Sequence, residues 1–71
     1  MAEQIRNALI AITILRRKQV EARTGLSRSG IYERIAAGTF PAPIKLGNGR
    51  AVGWLEHEIN DWLFSRIEAS R

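Results

Sequence analysis

Apolar positions along this chain change rhythm several times, and each change marks an element. Residues 8–15, Ala-Leu-Ile-Ala-Ile-Thr-Ile-Leu, form an unbroken apolar run rich in β-branched side chains. Periodicity alone does not separate a buried strand from a buried helix in such a run. We read a short strand near Ile12 to Leu15. Residues 17–24 are polar around Val20 and read as a first helix, with Val20 its chief apolar contact. Gly25 follows where a left-handed residue ends a helix at low cost. Leu26 plugs the corner, and Ser27 is placed to cap the free amides of a second helix over about 28–37. Ile31 and Ile35 are four apart and share one face of that helix, the one to be buried. Gly38 ends it.

Phe40-Pro41-Ala42-Pro43 breaks the helical rhythm, since each proline removes a donor and biases its predecessor towards an extended form. Ile44-Lys45-Leu46 and Ala51-Val52-Gly53-Trp54 alternate, and Gly47-Asn48-Gly49 between them is turn chemistry. The expected hairpin faces Ile44, Leu46, Val52 and Trp54 inward and Lys45 and Arg50 outward. A last helix over about 56–68 carries Leu55, Ile59, Trp62, Leu63 and Ile67 at helical spacing, with Glu56 and Glu58 in the first turn, where acids complement the helix dipole. Phe64 falls off that apolar face. The pattern predicts an α+β, mainly α fold: a small winged helix-turn-helix of three helices with a two-stranded β-hairpin wing and a short N-terminal strand. Residues 15–71 would form the domain and residues 1–14 an apolar N-terminal extension.

Composition narrows the function. Seventy-one residues suffice for one small core. With no cysteine, thiolate metal sites and disulfides are excluded, and one histidine, His57, does not build a zinc site alone. The apolar run 8–15 lacks a basic start and a cleavage pattern, and it is far short of the roughly 20 residues a membrane span needs. A cytoplasmic protein without membrane, metal or cofactor is the expectation. Residues 16–50 carry eight basic groups against two glutamates, whereas residues 51–71 carry two against four acidic ones. The positive charge is therefore concentrated in the helix-turn-helix and hairpin, as phosphate steering requires. No enzyme constellation is legible. The carboxylates cluster on one solvated helix, and the glycines match no phosphate loop.

The candidate chemistry is that of a DNA reader. Arg28, Ser29, Tyr32 and Glu33 start the second helix on the side away from Ile31 and Ile35. The N-terminal part of such a helix meets base edges in the major groove. Arginine pairs bidentately with guanine, Tyr32 bonds a phosphate or touches a thymine methyl, and Glu33 accepts from a cytosine amine. Tyr32 could instead seal the helix against the hairpin, and Glu33 could make local pairs on a solvated face. Gly30 costs up to about 1 kcal/mol against alanine in a helix; it either admits a close DNA backbone or is drift. Lys45 and Arg50, with Asn48 and the glycine amides of the turn, suit a phosphate or minor-groove contact. Arg16, Arg17 and Lys18 put three cations at a helix start, against the dipole, and a nearby phosphate explains them better than local stability.

Several stretches resemble the AlpA family of prophage regulators, small winged helix-turn-helix proteins related to MerR-type domains and excisionases. The matching residues are Leu15-Arg16 and Val20, Gly25-Leu26-Ser27-Arg28-Ser29 with Ile31-Tyr32, Gly38-Thr39-Phe40-Pro41-Ala42-Pro43, Lys45-Leu46-Gly47, Gly49-Arg50-Ala51-Val52-Gly53-Trp54 and the Trp62 helix. The resemblance implies a recognition helix bearing Arg28, Ser29 and Tyr32 and a wing bearing Lys45 and Arg50. It also implies control of an integrase gene or of excision. The family commonly has Ser or Thr where this chain has Gly30, Arg where it has Glu33, and an apolar residue where it has Arg34. Those departures bear on the target sequence rather than the mode of binding. The expected DNA-contacting set is Arg17, Lys18, Ser27, Arg28, Ser29, Tyr32, Glu33, Lys45, Asn48 and Arg50. The expected partners are double-stranded DNA, a second copy in a homodimer or cooperative oligomer, and an integrase. Two rival roles are an excisionase-like factor that bends attachment-site DNA and a protein-interaction module that inhibits a partner through the run 8–15.

Overall fold

A computed structural model describes residues 12–71. The elements are β1 (Ile14–Leu15), α1 (Arg17–Thr24), α2 (Arg28–Ala36), β2 (Ile44–Lys45), β3 (Val52–Leu55) and α3 (Glu56–Ala69). The turn between α1 and α2 is built as the sequence predicts. Gly25 takes a left-handed conformation (φ 74°) and its N–H donates to Glu21 O at 2.8 Å, a geometry that costs a side-chain-bearing residue about 1–2 kcal/mol. Thr24 Oγ1 donates to Val20 O and accepts from Leu26 N. Ser27 Oγ accepts from Gly30 N at 3.1 Å and so caps α2.

Every element except β2 supplies one buried side chain to a single core, and the linker adds another: Leu15 from β1, Val20 from α1, Ile31 from α2, Phe40 from the linker, Trp54 from β3 and Ile59 from α3. Leu26, Ile35, Val52, Trp62 and Leu63 close around them. The linker is held at two points, because Trp54 Nε1 donates to Pro41 O at 3.0 Å and Trp62 Nε1 donates to Thr39 O at 2.8 Å. Phe40 stands edge-on to Trp62, with ring centroids 4.9 Å apart. Both tryptophans thereby satisfy their N–H while burying large apolar surface.

The strands form one antiparallel sheet in the order β1-β3-β2, so the expected N-terminal strand becomes the third strand of the wing sheet. Glu56 N also donates to Thr13 O, which continues the β1 pairing to the start of α3. The part of the apolar run before Ile12 lies outside the described residues.

Two expected orientations are corrected. Ile44 and Leu46 do not face inward; they are 38% and 42% exposed. The register sets Ile44 opposite Gly53 and Lys45 opposite Val52, and residues paired across a sheet share a face. Val52 and Trp54 face the core, so Ile44 and Leu46 fall on the other side with Gly53. There a Cβ on Gly53 would lie 2.5 Å from Ile14 Cγ2 and 3.2 Å from Leu15 O; only glycine admits β1 that closely. The second correction is Ile67, which is 46% exposed because the last turns of α3 pass beyond the core residues they were expected to cover. Phe64, already off the apolar face in the sequence, is 65% exposed.

Candidate nucleic-acid interface

The start of α1, the start of α2 and the wing converge on one basin of about 460 Å³. It is lined by Arg16, Arg17, Lys18, Arg28, Arg50, Tyr32 and Val52. Local geometry explains the convergence. The cap on Ser27 fixes the first turn of α2 and with it Arg28. The β1–β3 pairing brings Arg16 beside the wing, where its Nε donates to Val52 O at 3.0 Å. Tyr32 meets Trp54 edge-on, ring centroids 6.4 Å apart, and remains 39% exposed. It thus seals α2 against β3 and still lines the basin; the two readings of this residue are compatible.

The basin is short of negative charge. Among the described residues Glu21 pairs with Arg17, and Glu56 pairs with Arg23 on the far end of α1. Arg16, Lys18, Arg28 and Arg50 have no carboxylate partner within that set. Like charges held together without counterions raise the local potential and favour a polyanion.

The remaining predicted residues lie around this centre. Ser27 is engaged as the cap, with Ser29 Oγ 3.3 Å from its hydroxyl. Ser29 and Glu33 are exposed on α2, Lys45 on β2 and Asn48 in the wing loop, all outside the basin lining. Two features lie outside the expected DNA-contacting set. Arg16, one of the three cations that the sequence places at the start of α1, lines the basin. Arg34 folds back along α2, its Nη1 donating to Gly30 O at 3.1 Å. Because a Cβ on Gly30 would lie 3.4 Å from that nitrogen and 3.2 Å from Ser27 Oγ, the space left by the glycine is already used within the protein.

Residues 13–67 match the family described as prophage CP4-57 regulatory protein (AlpA). The chain belongs to this family. Among its relatives, the uncharacterized protein ORF88 of Enterobacteria phage P4 is 47% identical over 53 residues, covering 75% of this chain and 59% of that protein. The chain thus spans less than two thirds of that relative's length. The DNA-binding transcriptional activator AlpA of Escherichia coli K12 is 39% identical over 64 residues, covering 82% of this chain and 90% of that protein. All the basin residues fall within the AlpA family match, and the fold is that of a small winged helix-turn-helix.

Proposed function

We propose that this protein is a sequence-specific DNA-binding transcriptional regulator of the prophage type, acting on an integrase or excision locus. The observation that carries the reading is the gathering of Arg16, Lys18, Arg28 and Arg50, none paired with a carboxylate among the described residues, at the N-terminal end of a capped, exposed helix. In this reading α2 enters the major groove, with Arg28 and Ser29 at base edges, Glu33 accepting from a cytosine amine and Tyr32 on a phosphate. Arg17, Lys18, Lys45, Asn48 and Arg50 bind the flanking backbone, and Ser27 sets the angle of the helix. The name of the Escherichia coli relative, a DNA-binding transcriptional activator, supports the same assignment.

One such module covers few base pairs, so selective binding calls for two copies or cooperative neighbours. The exposed Phe64, beside a depression of about 110 Å³ lined by Asn60, Leu63 and Ile67, is a surface suited to that contact. Light scattering of the free and DNA-bound protein tests this part, and a monomer in both states would overturn it.

The function itself is tested by fluorescence-anisotropy binding to DNA from upstream of its own locus, against scrambled DNA, across a salt series. The expected result is selective binding with a log–log salt slope near −0.9 per neutralised phosphate. Equal, weak binding to both DNAs would overturn it and favour a role through a protein partner. Bending of attachment-site DNA together with integrase recruitment, without promoter activity, would instead identify an excisionase-like factor.

A further inference from the structure

We infer that Arg16 fixes the wing against the start of α1, and that through it Arg50 is held in position for a phosphate. The inference rests on the DNA-binding reading and adds a positioning residue that lies in neither the recognition helix nor the hairpin. Arg16 sits in extended backbone (φ −85°, ψ 164°) between β1 and α1. Its backbone N–H donates to Gln19 Oε1 at 2.8 Å, which ties its main chain to α1. Its Nε donates to Val52 O at 3.0 Å, across 36 residues of sequence.

That second bond reaches a weakly held part of the molecule. β2 and β3 share two residue pairs, Ile44 with Gly53 and Lys45 with Val52, and beyond them Leu46 N donates to Ala51 O at 2.9 Å. Among the described residues, the bond from Arg16 is the one side-chain hydrogen bond to the segment from Leu46 to Val52. It closes two residues from Arg50, so it sets where that cation sits.

The chemistry of arginine suits the role. With Nε anchored on Val52 O, the planar guanidinium is oriented, and its Nη groups have no hydrogen-bond partner among the described residues. A fork already oriented loses less freedom on binding a phosphate. Arg16 and Arg50 line one basin as like charges, so an anion between them also relieves a repulsion.

The test is a double-mutant cycle in the salt series. Arg50→Ala is expected to reduce the salt slope by about 0.9, one phosphate. Arg16→Ala should reduce it by about 1.8, since it removes its own contact and releases Arg50. The double variant should match Arg16→Ala alone. Additive losses would make Arg16 an independent phosphate contact and overturn the inference. A lowered melting temperature with an unchanged slope would make it merely structural and overturn it as well. A second readout uses the free protein: NMR coupling from Arg16 Nε to the Val52 carbonyl is expected, with faster amide exchange across residues 47–52 in Arg16→Ala. Absence of that coupling overturns the clasp whether or not DNA binds. Failure of the unaltered protein to bind DNA overturns the functional reading, and the NMR experiment still decides the clasp.

Discussion

α2 is nine residues long, and its two ends are held in opposite ways. At the C-terminal end, past Gly38, the chain is locked: Thr39 O and Pro41 O accept from the two indoles, and Phe40 is buried against Trp62. At the N-terminal end the helix is capped by a side chain but otherwise left open, beside a basin whose Arg16, Lys18, Arg28 and Arg50 have no carboxylate partner among the described residues. The C-terminal end also has a cleft, about 400 Å³, but it is lined by Phe40, Pro41 and Trp62 with Glu58 and Asp61. Its carboxylates repel what the basin attracts. A helix anchored at one end by buried aromatic contacts and open at the other has one end free to meet a partner without disturbing the fold.

Breaking the locked end should have the largest effect. Trp54→Ala removes a fully buried ring and its bond to Pro41 O. A large aromatic deletion costs about 3–5 kcal/mol, comparable to the whole stability of so small a domain. Thermal denaturation followed by circular dichroism should lose its cooperative transition. Arg28→Ala acts at the open end and should separate binding from folding. DNA affinity should fall roughly tenfold or more, the worth of a charged hydrogen-bonded contact, with an unchanged melting curve. Ser27→Ala stands between these cases. It removes the α2 cap and should cost about 1 kcal/mol in chemical denaturation, with a smaller loss of affinity through a frayed first turn. Ile44→Ser should do least, about 0.5 kcal/mol or less in the same assay, because the residue sits on the outer face of the sheet. A loss comparable to Trp54→Ala would mean that this face is core after all.

Much of this contrast is legible in the residues themselves. Gly25, Ser27 and the prolines at 41 and 43 are local signals whose geometry depends on their own backbone, so the helix bounds follow from them. Ile31 with Ile35, and Ile59 with Trp62 and Leu63, repeat at helical spacing; Ile31 and Ile59 are buried and the others pack against them. The wing is different. Which face Ile44 and Leu46 occupy depends on whether Lys45 pairs with Val52 or with a residue one position away, and alternation alone does not fix that parity. Ile67 is exposed although it keeps the helical spacing, because periodicity gives a face but not where the body beneath it ends. The cationic groups of the basin were readable one by one; that Arg16 joins them follows from β1 pairing with β3, a contact between distant segments.

On the proposed reading, the N-terminal end of α2, with the wing and the start of α1, is the surface that meets DNA. An NMR titration of the labelled protein with a short duplex from its own locus tests it most directly. Amide shifts are expected to concentrate at residues 16–18, 28–33 and 45–52, while residues 38–42 and 61–67 change little at substoichiometric DNA. Perturbations centred on the Phe40–Trp62 cleft, with the basin silent, would contradict it.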